Sequence, residues 1–192
     1  MTERTIETPR LLLSHWTEED AEEEYELAKD PYIGKMCGGW PAPEDPDSAR
    51  ETIRSVLMKE ECYRIRLKEN AVLVGCCELM RASRHGQPED YEIGYWIGRP
   101  FWGNGYAGEA VNALLRRAFL ELDADRVWCS CYDGNDQSRR VIEKCGFSYH
   151  HTNEKLFSGK LNARNYNDLV YLMTWNDWES INREEDRSRL PQ

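Results

Sequence analysis

YEIGYWIGRPFWGNGYAGEAVNALLRRAFLEL, residues 91–122, reads as strand, glycine turn and helix. Tyr91–Ile97 is rich in aromatic and β-branched residues, which fit a pleated surface. Pro100 cannot donate to a ladder and ends the strand. Gly103 and Gly105 make the turn, and a helical pattern starts at about Tyr106. Its apolar positions are Ala107, Ala110, Val111, Leu114, Leu115, Ala118, Phe119 and Leu122, the spacing of a helix with one buried face. The first N–H groups of a helix have no intrahelical partner, and the macrodipole makes that end positive. A glycine turn feeding such an end is an anion site, so residues 102–107 are expected to hold a phosphate or pyrophosphate.

Gly103-Asn104-Gly105-Tyr106-Ala107-Gly108 formally matches the dinucleotide pattern G-x-G-x-x-G, with Asp123 or Asp125 as the following acid. The context argues against that fold. Pro100 separates strand from turn, roughly 90 residues precede the motif, and Asp125 opens the next strand instead of closing one. The sequence contains no G-K-S/T, so a P-loop is excluded.

The 192 residues suffice for one domain with a proper core, and 40% hydrophobic with 11% aromatic residues is a globular composition. No apolar run approaches the length of a membrane span. MTERTIETPR has no apolar core of a secretory signal, so a cytoplasmic location is expected. A net charge of −10 without a basic patch argues against nucleic acid and favours a cationic partner such as an amine. Seven cysteines include adjacent Cys76-Cys77 and the same-face pair Cys129 and Cys131. None forms C-x-x-C and no histidine stands at zinc spacing, so buried reduced thiols and no metal are expected.

Residues 10–16 read as a first strand. Thr17 with Asp20 resembles a capping box, opening a helix to about Lys29 that Asp30-Pro31 stops. Residues 32–46, with three glycines and three prolines, read as loop. A helix over 47–59, a hairpin of 62–67 with 71–80, and a polar turn at 81–87 follow. Beyond the central unit come a strand at 126–132, a helix at 136–144 ended by Gly146, and closing strands at 147–151 and 169–173. The polar stretch 152–165 reads as a mobile loop, and 176–192 as a charged helical tail that frays.

The turn resembles the acetyl-CoA loop of the GNAT (Gcn5-related) N-acetyltransferases, Q/R-x-x-G-x-G/A. Here it is Trp102-Gly103-Asn104-Gly105-Tyr106-Ala107, with Trp102 in place of the usual Gln or Arg. That departure, with the flanking E-I-G-Y-W-I and G-Y-A-x-E-A, resembles the RimJ/RimL branch, named for enzymes that acetylate protein N-termini. The likeness runs from Thr8-Pro9-Arg10-Leu11-Leu12-Leu13 to Tyr171. It implies a mixed α/β fold with a central, mostly antiparallel twisted sheet flanked by helices. It also implies a β-bulge on the strand before the cofactor loop, with one domain over 1–175 and the tail appended.

Acyl transfer from a thioester to an amine needs the thioester held, its carbonyl polarised, the ammonium deprotonated and the thiolate stabilised. By resemblance, residues Trp102 to Ala107 hold the pyrophosphate of acetyl-CoA, and Ile97 and its neighbours pair with the pantetheine arm. A backbone N–H near Ile97 polarises the carbonyl. In Asn135-x-x-Ser138, followed by C-G-F, the family's Asn bonds to the arm and its Ser faces the departing thiolate. The same residues also read as a helix cap with a first-turn serine. Arg139 or Arg140 is a candidate for a phosphate contact. Glu92, on the strand entering the loop, is the candidate base, since a carboxylate beside an apolar cleft has a raised pKa. Its other reading is an outward-facing strand residue, and Glu154 or a water stands as rival base. Tyr166 and Asp168 read as structural or substrate-orienting, and Met36 and Trp40 as acceptor wall. His15, His85, His150 and His151 match no catalytic pattern.

The expected activity is acetyl transfer to a primary amine, with the acceptor open between a protein N-terminus and a small amine. A non-catalytic CoA-binding sensor is the alternative, and monomer and homodimer both stay open.

Overall fold

A single mixed sheet carries the site. The structure, a computed structural model, describes residues 4–37, 42–82, 86–87, 89–157 and 165–188, with side chains described outside 155–157, 165–166 and 184–188. The strands are β1 (Thr5–Glu7), β2 (Leu11–His15), β3 (Cys62–Leu67), β4 (Leu73–Arg81), β5 (Tyr91–Ile97), β6 (Arg126–Tyr132), β7 (Ser148–Phe157) and β8 (Asn165–Thr174). They lie in the order β1-β2-β3-β4-β5-β6-β8-β7. The β5–β6 pair is parallel and the other ladders are antiparallel.

Helices cover both faces. These are α1 (Ala21–Ala28), α2 (Pro31–Met36), α3 (Pro46–Thr52), α4 (Tyr106–Glu121), α5 (Asp136–Lys144) and α6 (Trp175–Ser188). Helix α4 buries Ala110, Val111, Leu114, Leu115, Ala118 and Phe119 in a core shared with Leu13, Ile65, Ile93 and Cys129. Each of the larger side chains contributes about 1.5–3 kcal/mol on burial. Ile142 of α5 and Trp178 of α6 join the same core. Ala21, Ala28, Ile33 and Ala49 of α1–α3 pack with Cys62, Cys76 and Trp96. Strand alternation puts Cys76 and Trp96 on the face opposite Cys77 and Tyr95.

Four expectations from sequence need correction. The start of residues 32–46 is helical, because Asp30 caps α2 by accepting from the Tyr32 N–H (3.0 Å), with Pro31 at its first position. Proline is pre-set for that place. The helix expected over 47–59 is α3 followed by a wider π turn at Ile53–Leu57. The expected loop 152–165 is strand over most of its described length, since β7 runs to Phe157 and β8 begins at Asn165. On this edge strand backbone pairing to β8 replaces the apolar signal that sequence reading relies on. The expected bulge is absent from the β4–β5 ladder, whose register is unbroken from Gly75↔Ile97 to Arg81↔Tyr91. The tail is tied down at its start: α6 buries Trp178 against Phe119, with ring centroids 5.5 Å apart. Trp40 and His85 lie outside the described residues.

Candidate active site

Strands β5 and β6 pair at only three positions, Tyr91↔Val127, Glu92↔Trp128 and Ile93↔Cys129, and then part. Strand β5 stays paired to β4 all the way to Ile97. The Gly98 N–H donates to the Val74 carbonyl (2.8 Å), so even-numbered residues of β5 bond to β4 and odd-numbered ones turn toward β6. Beyond the parting, the N–H and C=O of Tyr95 and the N–H of Ile97 therefore face a gap that the β6 ladder does not reach. An extended, amide-bearing arm can add to such an edge as a strand does.

The loop after β5 turns through two left-handed glycines and leaves a row of N–H groups open. Gly103 and Gly105 both have φ of +80°, the left-handed region where a side chain is strained. The backbone N–H groups of residues 103–108 meet no acceptor among the described residues. The loop's interior is braced by its own side chains. Asn104 donates to the carbonyls of Phe101 (3.0 Å) and Trp102 (3.3 Å). Arg10 donates to the Asn104 carbonyl (2.9 Å), pairs with Glu109 (2.7 Å) and lies 4.8 Å over the Tyr106 ring. Burial pushes the Glu109 carboxyl up, but the Thr8 hydroxyl, the Arg10 N–H and the Arg10 guanidinium outweigh it and hold it below the usual range. Its charge is thus neutralised by Arg10 beside the loop. Trp102, standing where Gln or Arg is usual, donates its indole N–H to the Ile97 carbonyl (2.6 Å) and ties the loop to the end of β5. Ala107 is half-buried in the first turn of α4.

Across the gap, Asn135 caps α5 and accepts from the Ser138 N–H (3.2 Å). Asn135, Gly134, Asp136 and Gln137 line a cleft of about 350 Å³ with Tyr32, Met36, Arg99 and Trp102. The cleft thus joins the glycine loop, α5 and the α2 wall. Ser138 is not in its lining; its hydroxyl is 2.8 Å from the Tyr95 hydroxyl, which also reaches the Ser138 carbonyl (3.3 Å). Sequence reading missed Tyr95 and the loop-bracing role of Arg10. Tyr95 was visible only as a strand residue, 43 positions from its partner. Arg139 pairs with Asp136 (2.9 Å), and Arg140 is exposed.

Glu92 is buried at the last paired positions before the gap, and the Ser130 hydroxyl donates to it (3.3 Å). Cross-strand register puts Glu78, Glu92, Ser130 and Asp168 on one sheet face. Glu78 lies against Gly94, where its Oε1 is 3.5 Å from the site of an added Cβ. Burial pushes the Glu78 carboxyl up, Lys59 pulls it back and Glu92 adds to the rise. Glu154 is exposed on β7, which is separated from β6 by β8. The buried Asp168 is paired opposite Tyr132, and the Tyr166 side chain lies outside the described ones. His15 stacks on Tyr63, whereas His150 meets the Trp128 ring edge-on at 5.0 Å. The seven cysteines are free thiols, and burial pushes Cys131 up to about 12 and Cys145 up to about 11.

The acetyltransferase (GNAT) domain model matches residues 10–148, and the chain belongs to that family, whose members are acetyl-CoA-dependent N-acetyltransferases. It is 30% identical over 149 residues to N-acetyltransferase p20 of Bacillus licheniformis, itself described as uncharacterized, covering 74% of this chain and 82% of that one. Its fold is shared with the Microcin C7 self-immunity acetyltransferase MccE, solved with acetyl-CoA and AMP (TM-score 0.72, 23% identity, 87% and 93% of the two chains). It is shared too with RimL, a ribosomal L7/L12 alpha-N-protein acetyltransferase (TM-score 0.71, 15% identity, 91% and 96%). No described helix is long and apolar enough to cross a membrane.

Proposed function

We propose that the protein transfers the acetyl group of acetyl-CoA to a primary amine by direct attack in a ternary complex. The observation that carries this is the parting of β5 from β6 beside the row of unpartnered N–H groups at residues 103–108. Those N–H groups and the α4 dipole suit the pyrophosphate, and the odd-numbered edge of β5 suits the pantetheine amides. Trp102 and Asn104 shape the loop, and Asn135 borders the arm's path while it caps α5. The Ile97 N–H is placed to polarise the thioester carbonyl.

Glu92 takes the ammonium proton, directly or through water. Its burial and its position just before the gap support that role over Glu154, which is exposed three strands farther out. The freed amine forms the new N–C bond, the C–S bond breaks with its electron pair on sulfur, and the second proton lost from nitrogen as the amide forms leaves to water. Ser138 hydrogen-bonds that sulfur. The acceptor is an amine, because Glu78, Glu92 and Asp168 make this face acidic. A protein N-terminus and a small amine both fit.

Calorimetric titration with acetyl-CoA, followed by thiol release with a serine-ended peptide, spermidine, glucosamine and lysine, tests the reading. Binding with release for one class is expected. Binding with no release for any of them would favour a CoA sensor, and no binding would overturn the cofactor site.

A further inference from the structure

The Tyr95 phenol reaches two atoms of one residue. Its oxygen is 2.8 Å from Ser138 Oγ and 3.3 Å from the Ser138 carbonyl. One phenol carries one proton, so two arrangements are available. In the first, Tyr95 donates to the carbonyl and the Ser138 hydroxyl donates back to Tyr95. In the second, Tyr95 donates to Ser138 Oγ and the Ser138 proton is released to point elsewhere. The Asn135 cap fixes the Ser138 backbone, so the swap needs only two hydroxyl rotations.

We propose that Tyr95 is a positioning residue: by donating to Ser138 Oγ it turns the Ser138 hydroxyl into a donor toward the sulfur that leaves acetyl-CoA. The proposal rests on the reading of Ser138 given above and adds the group that makes it work. A lone serine hydroxyl is a poor acid and can be spent as an acceptor. A serine already accepting from a phenol is polarised to donate. As the C–S bond breaks, the electron pair collects on sulfur, Ser138 O–H bonds to it, and Tyr95 O–H bonds to Ser138 Oγ. No proton leaves Tyr95; the ammonium's first proton goes to Glu92, and the second, lost from nitrogen as the amide forms, leaves to water. Burial supports this, since it pushes the phenol well above its ordinary range and keeps it a donor.

The binding part of the test needs no knowledge of the acceptor. Free CoA is titrated calorimetrically between about pH 7 and about pH 10, spanning thiol ionisation, with acetyl-CoA, which has no thiol, as the control. In the wild type CoA binding should strengthen with pH as the thiolate gains a donor. Ser138→Ala should abolish that gain, and Tyr95→Phe, which keeps the ring, should remove most of it. The two changes together should do no more than Ser138→Ala alone. Acetyl-CoA affinity should stay within about twofold in all three. In turnover Tyr95→Phe should lower kcat about tenfold at unchanged KM for acetyl-CoA. If Ser138→Ala binds CoA as the wild type does at every pH, the Ser138 role itself falls. If Ser138→Ala loses the gain and Tyr95→Phe keeps it, only the Tyr95 inference falls. Weakened acetyl-CoA binding in Tyr95→Phe would make Tyr95 a scaffold residue and overturn the proposal.

Discussion

Trp102 occupies the place where related loops carry Gln or Arg, and its geometry shows what it does there. Its indole N–H satisfies the Ile97 carbonyl at 2.6 Å, while its ring meets Tyr32 edge-on at 6.2 Å. Trp102→Phe keeps the ring and removes the hydrogen bond. We expect acetyl-CoA affinity to fall about 5–10-fold with the fold intact, as calorimetry and circular dichroism can check. At Glu92 the expected effect falls on chemistry alone. Glu92→Gln should cut kcat by about 10²–10⁴, the contribution of a positioned base, and leave acetyl-CoA binding unchanged. Steady-state kinetics beside calorimetry separates the two, and an unchanged kcat would remove Glu92 from the mechanism.

At the scale of elements, α2 decides how the cleft is walled. It is six residues long, too short to persist by propensity, and depends on its cap. Asp30 does two jobs, accepting from the Tyr32 N–H with one oxygen and from Arg99 with the other (2.7 Å). Arg99 follows β5 directly, so the ion pair ties the cleft wall to the strand that carries the site. Asp30→Ala should cost about 0.5–2 kcal/mol of local stability. Amide exchange in α2 should accelerate about tenfold while α4 keeps its protection. The parting of β5 and β6 is also an element-scale property. It needs no bulge, because β5 keeps its full ladder to β4 while β6 turns to β8.

For the molecule as a whole, a buried charge cluster locks α1 to the sheet. Asp20 is 2% exposed and binds the Thr17 N–H (2.8 Å), Arg64 and Arg66 (2.7 Å). Burial pushes its carboxyl up, but the Thr17 N–H and the two guanidinium groups outweigh that and hold it below the usual carboxylate range. A carboxyl lowered on folding adds stability above its unfolded value, about 3.9, and that stability is lost as pH falls through the folded value. Asp20→Asn should therefore destabilise the protein by about 2–3 kcal/mol near neutral pH, leaving two partly exposed arginines short of a partner. The gap to the wild type should close as pH falls toward about 3. Urea unfolding at both pH values measures it, and a gap that stays constant would show that the charge is not what Asp20 contributes.

Where local chemistry dominates, reading the chain was enough. The strand at Tyr91–Ile97, the helix from Tyr106, the strand at Arg126–Tyr132 and the helix at Asp136–Lys144 all stand as read, because periodicity, glycines and caps act within a few residues. The positive φ of Gly103, Gly105 and Gly146 follows from the same local logic. Contacts between distant residues were not legible. Nothing in Tyr95 announces Ser138, nor in Arg10 announces Asn104, because strand order alone brings them together. The polar β7 carried no apolar period, since an edge strand is held by its backbone. The sequence alone determined the local elements and, through its motif, the family. Only the tertiary structure decided that β5 parts from β6 with its register intact, that Trp102 ties the loop to β5, and that the half-buried Tyr95 phenol faces Ser138. Strand pairing and side-chain hydrogen bonds such as these depend on how the backbone is folded in three dimensions, which residue periodicity does not encode.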